Sequence, residues 1–226
     1  MSDTPAPQAR ESLSKEPTLQ FEHDRFADGV TLVIGVDEVG RGAIAGPVAV
    51  GVHAVTHGTL EFPLGLRDSK LLSEKKREAI APLVTEWGAG AVGFSTPQEI
   101  DERGISWALG EAGRRALLDL HRQGVPVSDA LILVDGSHDW LSPSLRQPLR
   151  VQTKTQADRT CASVAAASVR AKVERDDLMR AAHEAEPHYG WLSNKGYGSK
   201  AHYAGIEEVG LSPLHRRSWI RMTGER

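Results

Sequence analysis

The stretch VTLVIGVDEVGRGAIAGPVAVGV, residues 30–52, decides the fold and carries the first candidate site. Its opening run, residues 30–36, is β-branched and almost wholly apolar, which predicts a strand buried on both faces that stops at Asp37 and Glu38. A second apolar run, residues 48–55, follows after a glycine-rich segment, and this closeness predicts an antiparallel partner strand. The sheet therefore begins with a strand pair whose first member ends in two acids.

Strands and helices alternate in the rest of the sequence. Strands are predicted at 88–94, 130–135 and 149–153, and helices over 73–84, 96–124 and 160–183. Pro82 should end or kink its helix early, whereas Thr96 and Glu99 predict a capping box. Gly104 should break the helix that follows. Strands first, and then strands alternating with helices, predict an α/β fold with a mixed sheet and helices on its faces.

Composition indicates one folded domain behind a short lead-in. Of the 226 residues, 40% are apolar, which is ample for a single core. Residues 1–27 are rich in Ser, Pro, Gln and charge without an apolar period, so we expect a disordered lead-in and one domain over 28–226. Neither a membrane span nor a secretory signal is visible, so a cytoplasmic protein is expected. Cys161 is the single cysteine, which excludes an internal disulfide.

The net charge gives no general attraction to nucleic acid. The chain has 27 basic and 30 acidic residues and a net charge of −3, so an anionic partner must be met by a local patch. One candidate patch is the C-terminal segment, residues 191–226, where Lys and Arg outnumber Glu. Lys195 and Lys200 are its candidate phosphate contacts, and an ordinary solvated face is the alternative.

Carboxylates close two of the predicted buried strands. The runs VIGVDE and LILVDG deliver Asp37, Glu38 and Asp135 to strand ends, and acids gathered at one sheet edge need a cation there. The alternative is that each acid only begins a turn. Adjacent carboxylates repel each other unless a cation or a proton lies between them, which favours a metal site. Because the candidate ligands are all oxygens, Mg²⁺ or Mn²⁺ is expected and zinc is not.

Five segments stand in an order that one known family shares. They are GVDEVGRGAIAGPVAVGV from Gly35, DSKLLSEKKR from Asp68, LVDG at 133–136, AAASVRAKVERD at 165–176 and KGYGSKAHYAGIEEVGLSPLHRRSW at 195–219. Together they resemble ribonuclease HII. The resemblance implies a ribonuclease H-like fold, with helices flanking a five-stranded mixed sheet and a small helical C-terminal part. It also implies a metal-dependent endonuclease that cuts the RNA strand of RNA–DNA hybrids and nicks duplex DNA 5′ to an embedded ribonucleotide, leaving 5′-phosphate and 3′-hydroxyl ends.

Carried over by position, the resemblance implies four acids that are both catalytic and metal-binding. The family's paired acids fall on Asp37 and Glu38, and its next aspartate falls on Asp135. Its fourth acid falls on Asp158, although Gln-Ala stands here where the family commonly has Lys-Gly. Asp176, within the long helix, is the competing candidate, and an ion pair with a nearby Arg is its other interpretation.

The same resemblance implies how ribose is recognised. The family's Gly-Arg-Gly segment, which approaches the ribose 2′-hydroxyl through its backbone, falls on Gly40, Arg41 and Gly42. Its junction-sensing tyrosine falls on Tyr197. Glycine lets main-chain donors approach a sugar without a Cβ in the way. The implied partners are RNA–DNA hybrids and ribonucleotide-containing duplex DNA, and we expect a monomer that does not bind membranes.

Three alternatives stay open from the sequence. A ribonuclease HIII relative is the nearest, but that family has an extra N-terminal domain and departs from Gly-Arg-Gly. A non-catalytic nucleic-acid-binding module could keep the fold alone. A metal-dependent hydrolase of a small phosphorylated substrate is the third, and the basic C-terminal segment counts against it.

Overall fold

A five-stranded mixed sheet organises residues 16–220, the part of the chain that this computed structural model describes. Its strands are β1 (Leu32–Val39), β2 (Val48–Thr56), β3 (Gly90–Ser95), β4 (Leu131–Asp135) and β5 (Arg150–Lys154), in the spatial order β3-β2-β1-β4-β5. β1 pairs antiparallel with β2 and parallel with β4, and β5 continues the parallel side. The predicted fold class is confirmed, and the carboxyl ends of the parallel strands meet at one edge of the sheet.

Helices cover both faces of the sheet. They are α1 (Gln20–Ala27), α2 (Glu74–Trp87), α3 (Pro97–Arg103), α4 (Ile105–Arg122), α5 (Ala157–Thr160), α6 (Ala162–Ala185), α7 (Trp191–Asn194) and α8 (Lys200–Val209). α4 packs on the face that holds Ile34 and Val36, and α6 packs on the opposite face with Val33 and Leu133. Both faces are therefore buried, as the apolar runs predict. Among the described helices, none has the length and apolar character that crossing a bilayer requires.

β1 does not stop before its acids. Asp37 pairs with Gly51 and Glu38 pairs with Val50 on β2, so both acids lie inside a strand that runs to Val39. The predicted strand end at Asp37 is wrong because the antiparallel partner keeps supplying backbone hydrogen bonds beyond it. Since successive side chains alternate along a strand, the two acids point to opposite faces of the sheet.

α6 approaches the sheet closely because glycines face it. A Cβ on Gly35 would stand 2.3 Å from the Ser163 carbonyl carbon, and one on Gly51 would stand 2.2 Å from the Ala167 carbonyl oxygen. Neither distance leaves room for a side chain, so glycine is required at both positions. Asp37 follows Gly35 on the same face of β1, so Asp37 also points toward α6. The small Ala and Ser side chains of α6 permit this close approach.

Residues 20–27 form the helix α1, where the sequence predicts a disordered lead-in. Phe26 is buried in the core, and buried Glu22 accepts hydrogen bonds at Oε1 from Ser163 N at 2.9 Å and Ser163 Oγ at 2.6 Å. The prediction is wrong for this part because a core side chain and an acid that caps α6 leave no repeating pattern in the sequence. The remainder of the predicted lead-in, residues 1–15, lies outside the described residues.

α2 continues to Trp87 although Pro82 lies inside it. The predicted early end does not occur, since Ile80 and Val84 are buried on either side of the proline. The Trp87 ring also stacks on His53, with 4.6 Å between the ring centroids. These contacts hold the last turn in place and offset the cost of an internal proline, which is about 3 kcal/mol.

The small helical part at the C-terminal end is confirmed. Tyr189, Trp191 and Ile206 form its buried apolar cluster, and that cluster packs against Met179 of α6 and Ile44. Because Ile44 belongs to the loop between β1 and β2, this part rests directly on the segment that follows the paired acids.

Candidate active site

Asp37 and Glu38 lie side by side near the carboxyl end of β1. Asp37 is 1% exposed, and within the described chain neither of its carboxylate oxygens has a hydrogen bond of ordinary geometry. Burial, and next the negative charge of Glu38, hold the pKa of Asp37 well above its usual range. Burial also raises the pKa of Glu38, while Arg41, 3.6 Å from it, opposes this shift and Asp135 adds to it. Two crowded acids of this kind favour the binding of a proton or a cation between them.

Asp135 ends β4 and is held against the start of α5. Its Oδ1 accepts hydrogen bonds from the main-chain N–H groups of Ala157 at 2.7 Å and Asp158 at 3.3 Å. Gln156, with a φ of 58°, adopts the left-handed conformation and turns the chain from β5 into this helix. Asp158 is 4% exposed, and burial followed by the charge of Asp135 raises its pKa. Because Asp135 also raises the pKa of Asp37, the predicted acids share one neighbourhood.

Lys70 belongs to this neighbourhood, although the sequence alone does not single it out. Its Nζ lies 3.2 Å from Asp158 Oδ2. Burial disfavours the charged ammonium, but the carboxylates of Asp37, Asp158 and Asp68 outweigh burial and raise the pKa of Lys70. Asp68 caps the short 3₁₀ turn Ser69–Leu71 by accepting from the Lys70 N–H at 2.9 Å. This segment is part of a family-like motif, but it ends no strand, so spacing gives no reason to place it among the acids.

The donors at this edge suit a hard divalent cation. Asp37, Glu38, Asp135 and Asp158 offer only carboxylate oxygens, and those of Asp37 are buried without partners of ordinary geometry in the described chain. As the side chains stand, no three His, Cys, Asp or Glu groups in residues 16–220 form a ready-made cage. The chemistry of these four side chains nevertheless fits Mg²⁺ or Mn²⁺.

Asp176 lies elsewhere and is already paired. Its carboxylate is 2.6 Å from Lys172 Nζ and 3.7 Å from an Arg77 guanidinium nitrogen, and the residue is 2% exposed. The predicted ion pair with a nearby Arg is confirmed. Because these two cations already neutralise Asp176, its pairing favours Asp158 as the fourth acid of the site.

The loop after β1 presents Arg41 and Gly42 to solvent. Gly40 has a φ of 82°, and a Cβ there would stand 2.0 Å from Arg175 Nε, so glycine is required. Gly42 is exposed, and a Cβ there would meet no atom within 4 Å. The two glycines therefore differ in purpose. Gly40 lets a buried guanidinium approach, whereas the structure leaves room for a side chain at Gly42.

Three predicted substrate contacts lie in the C-terminal part, and they differ in exposure. Tyr197 is 39% exposed, and its ring centroid lies 5.6 Å from the Arg175 guanidinium carbon. Lys200 is exposed at the first position of α8. Lys195 is only 7% exposed, and its ammonium lies 3.2 Å from a Glu74 carboxylate oxygen. The low exposure of Lys195 and its ion pair with Glu74 count against the predicted phosphate contact, which stays a prediction.

The sequence profile of ribonuclease HII matches residues 34–222, which include all four acids and both loops. The chain belongs to the ribonuclease HII family. It is 42% identical over 205 residues to the ribonuclease HII of Streptomyces avermitilis, covering 90% of this chain and 83% of that one. It is 40% identical over 202 residues to the ribonuclease HII of Salinibacter ruber, covering 89% of this chain and 97% of that one.

Solved structures share the fold of this ribonuclease HII. The ribonuclease H2 of Pyrococcus horikoshii has a TM-score of 0.62 at 27% identity, covering 83% of this chain and 93% of that one. The RNase HII of Archaeoglobus fulgidus, solved as a complex with PCNA, has a TM-score of 0.64 at 26% identity, covering 86% and 98%. Bst-RNase HIII in complex with Mn²⁺ has a TM-score of 0.66 at 26% identity, covering 83% of this chain and 66% of that one.

These comparisons confirm the resemblance that the five sequence segments indicate. The chain is an endonuclease hydrolase with the ribonuclease H-like fold, and dependence on a divalent metal is general in that family. The ribonuclease HIII alternative is set aside, because the profile that spans residues 34–222 is that of ribonuclease HII.

Proposed function

We propose that this ribonuclease HII hydrolyses the RNA strand of RNA–DNA hybrids and nicks duplex DNA 5′ to embedded ribonucleotides. The proposed ligands for Mg²⁺ or Mn²⁺ are Asp37, Glu38, Asp135 and Asp158. The observation that carries the proposal is the burial of Asp37, with two oxygens unpartnered in the described chain, beside the charges of Glu38 and Asp135. A carboxylate in that position is costly to the fold unless a cation binds it.

The protein's own residues fix where the chemistry occurs. A bound divalent metal supplies a water of lowered pKa and stabilises the charge that develops on the leaving 3′ oxygen. Asp37 and Glu38 are held in place because both lie within a paired strand. Asp135 is oriented by the main-chain N–H groups of Ala157 and Asp158. The proposed products carry 5′-phosphate and 3′-hydroxyl ends.

Lys70 supplies positive charge at the same edge. Its ammonium lies 3.2 Å from Asp158, while 60% of its side chain is exposed. It offsets part of the repulsion among the acids and offers a contact to a phosphate of the bound strand.

Ribose recognition is proposed for the loop after β1 and for Tyr197. Arg41 and Gly42 are exposed, so their main-chain N–H groups can meet the 2′-hydroxyl, the group that separates RNA from DNA. The Tyr197 loop is adjacent, since the Gly196 carbonyl accepts from Ile44 N at 2.9 Å. A tyrosine there can stack on the neighbouring sugar. By contacting both the 2′-hydroxyl and the neighbouring sugar, the enzyme can distinguish an RNA-to-DNA junction.

The proposed partner is duplex nucleic acid. The net charge is −3, so binding depends on local cations such as Arg41 and Lys200, which are both exposed. We also propose that the enzyme acts as a monomer in the cytoplasm.

Cleavage of three duplexes of matched sequence tests this proposal. One carries a single ribonucleotide, one carries a run of ribonucleotides, and one is all DNA. We expect Mg²⁺- or Mn²⁺-dependent cutting of the first two, with 3′-hydroxyl and 5′-phosphate ends, and no cutting of the third. Folded protein that cuts neither ribonucleotide duplex with either metal would contradict the proposal and favour a non-catalytic binding module.

A further inference from the structure

Two arginines are buried beneath the loop that follows β1, and within the described chain neither has a carboxylate partner. Arg175 on α6 and Arg216 beyond α8 are both 0% exposed. Within residues 16–220 neither forms an ion pair, and each guanidinium nitrogen of both donates to a main-chain carbonyl oxygen. Burial lowers the pKa of both, as expected for cations without counter-ions, although arginine stays protonated in proteins. So costly an arrangement indicates a role beyond filling space.

Arg216 holds the inner side of the loop proposed to recognise ribose. Its guanidinium donates to Gly40 O at 2.7 Å, Arg41 O at 3.0 Å and Gly46 O at 3.0 Å. The described chain has no cis peptide bond, so the C=O and N–H of each peptide unit point in opposite directions. Because the carbonyls of Gly40 and Arg41 point inward to Arg216, the N–H groups of Arg41 and Gly42 point outward.

The two outward N–H groups are free to meet a ligand. Both Arg41 and Gly42 are exposed, and neither N–H donates to another group in the described part of the chain. A ribose 2′-hydroxyl can accept from them, and a deoxyribose cannot.

Arg175 ties the loop of Tyr197 to the same place. It donates to Pro47 O at 2.8 Å and Ala45 O at 3.1 Å, and from the other side to Lys195 O at 2.9 Å. The Tyr197 ring centroid lies 5.6 Å from its guanidinium carbon. This buried side chain, together with the main-chain hydrogen bonds from Ile44 and Ala45 to the Gly196 carbonyl, therefore joins the loop of Tyr197 to the loop after β1.

We infer that Arg216 and Arg175 are positioning residues for ribose recognition. Arg216 orients the N–H groups of Arg41 and Gly42, and Arg175 sets the position of Tyr197 relative to them. The inference rests on the proposed function of this loop and goes beyond it, because both arginines are buried and act only through main-chain groups and the tyrosine ring. A displacement of about 1 Å at a recognition site can cost about 100-fold in rate.

Arg216→Lys is the variant that tests the inference. Lysine keeps the charge, but its single ammonium does not reproduce the planar fork that reaches three carbonyls. We expect kcat/KM on the single-ribonucleotide duplex to fall about 10- to 100-fold. Affinity for the all-DNA duplex, and Mn²⁺ affinity by calorimetry, should stay within about twofold of wild type, because neither depends on the orientation of those N–H groups.

Arg170→Lys is the matched control. Arg170 lies on α6, as Arg175 does. Like both inferred positioning residues it donates to main-chain carbonyls, those of Val84 at 3.0 Å and Gly88 at 2.7 Å. Neither carbonyl belongs to the ribose loop or to the tyrosine loop. This variant should lower the melting temperature and leave kcat/KM on the single-ribonucleotide duplex unchanged.

Several results would overturn the inference. One is a folded Arg216→Lys enzyme whose kcat/KM on the single-ribonucleotide duplex equals that of wild type. Another is a fall in its affinity for the all-DNA duplex and for Mn²⁺ as large as its fall in kcat/KM. The third is an equal fall in kcat/KM in Arg170→Lys. If circular dichroism shows that Arg216→Lys does not fold, Arg175→Lys decides by the same criteria. An inactive wild type counts against the proposed function, whereas an active wild type with unaffected arginine variants counts against the inference alone.

Discussion

Two regions of this ribonuclease HII bury like charges and treat them in opposite ways. At the sheet edge, Asp37 is buried beside Glu38, and neither of its oxygens has an ordinary hydrogen bond in the described chain. Beneath the loop after β1, Arg175 and Arg216 are buried with every guanidinium nitrogen bonded to a carbonyl oxygen. An unsatisfied buried charge marks a place where an ion binds, and satisfied ones mark a place that must keep its shape.

The largest effect is expected at the unsatisfied charge. Asp37→Asn removes a proposed metal ligand, so cleavage of the single-ribonucleotide duplex should fall at least about 1000-fold. In EDTA the same change should raise the free energy of unfolding by about 1 to 2 kcal/mol, because a buried charge next to Glu38 is lost. Turnover assays and denaturant unfolding measure the two effects. Near-normal turnover at saturating Mg²⁺ would contradict the assignment of Asp37.

Removing a satisfied charge should change stability in the opposite direction. Arg216→Ala removes a donor from three main-chain carbonyls and leaves those of Arg41 and Gly46 without one in the described chain, so the free energy of unfolding should fall by about 3 kcal/mol. Denaturant unfolding followed by circular dichroism checks this, with Asp37→Asn as the paired measurement. Equal or greater stability in Arg216→Ala would remove the contrast between the two regions.

The effect of Asp37→Asn on stability should depend on pH. Because the pKa of Asp37 is raised in the fold, the folded protein prefers the protonated acid. The resulting penalty is absent below the unfolded pKa of about 3.9 and grows as pH rises toward the folded pKa. The difference in unfolding free energy between variant and wild type, measured in EDTA, should therefore widen from about pH 4 to neutrality. A difference that narrows over this range would show that burial of Asp37 is not costly.

The smallest effect separates the two C-terminal lysines. Lys200→Ala should reduce the slope of log affinity against log salt for duplex binding by about 1, since an exposed phosphate contact is lost. Lys195→Ala should leave that slope unchanged and lower the melting temperature, because Lys195 pairs with Glu74. Fluorescence anisotropy over a salt series measures both. A slope change in Lys195→Ala equal to that in Lys200→Ala would restore the phosphate contact that the sequence predicts for Lys195.

The sequence predicts what depends on local pattern. The apolar run that ends in Asp37 and Glu38, and the one that ends in Asp135, predict both the strands and the edge where their acids meet, because parallel strands end together. The spacing of residues in the sequence does not predict the environment of a side chain that is held by contacts distant in the chain. The sequence predicts Lys195 to be a surface cation, yet it is 7% exposed and pairs with Glu74.

The helix α1 and the buried arginines show the same limit. Residues 20–27 carry no apolar period, and their helix is held against α6 by the hydrogen bonds that Glu22 accepts from Ser163 and by the burial of Phe26. Arg216 belongs by composition to a basic patch, and only the folded chain shows that its partners are carbonyls of the loop after β1. Contacts across more than a hundred residues leave no signature in local sequence.

Anomalous diffraction from crystals soaked in Mn²⁺ tests the central claim most directly. We expect Mn²⁺ peaks bonded by carboxylate oxygens of Asp37, Glu38, Asp135 and Asp158, with Asp37 contributing to every site at the edge of β1. Asp176 should remain paired with Lys172 and bind no ion. Mn²⁺ bound at Asp176, or the absence of any peak beside Asp37 at saturating Mn²⁺, would contradict the account.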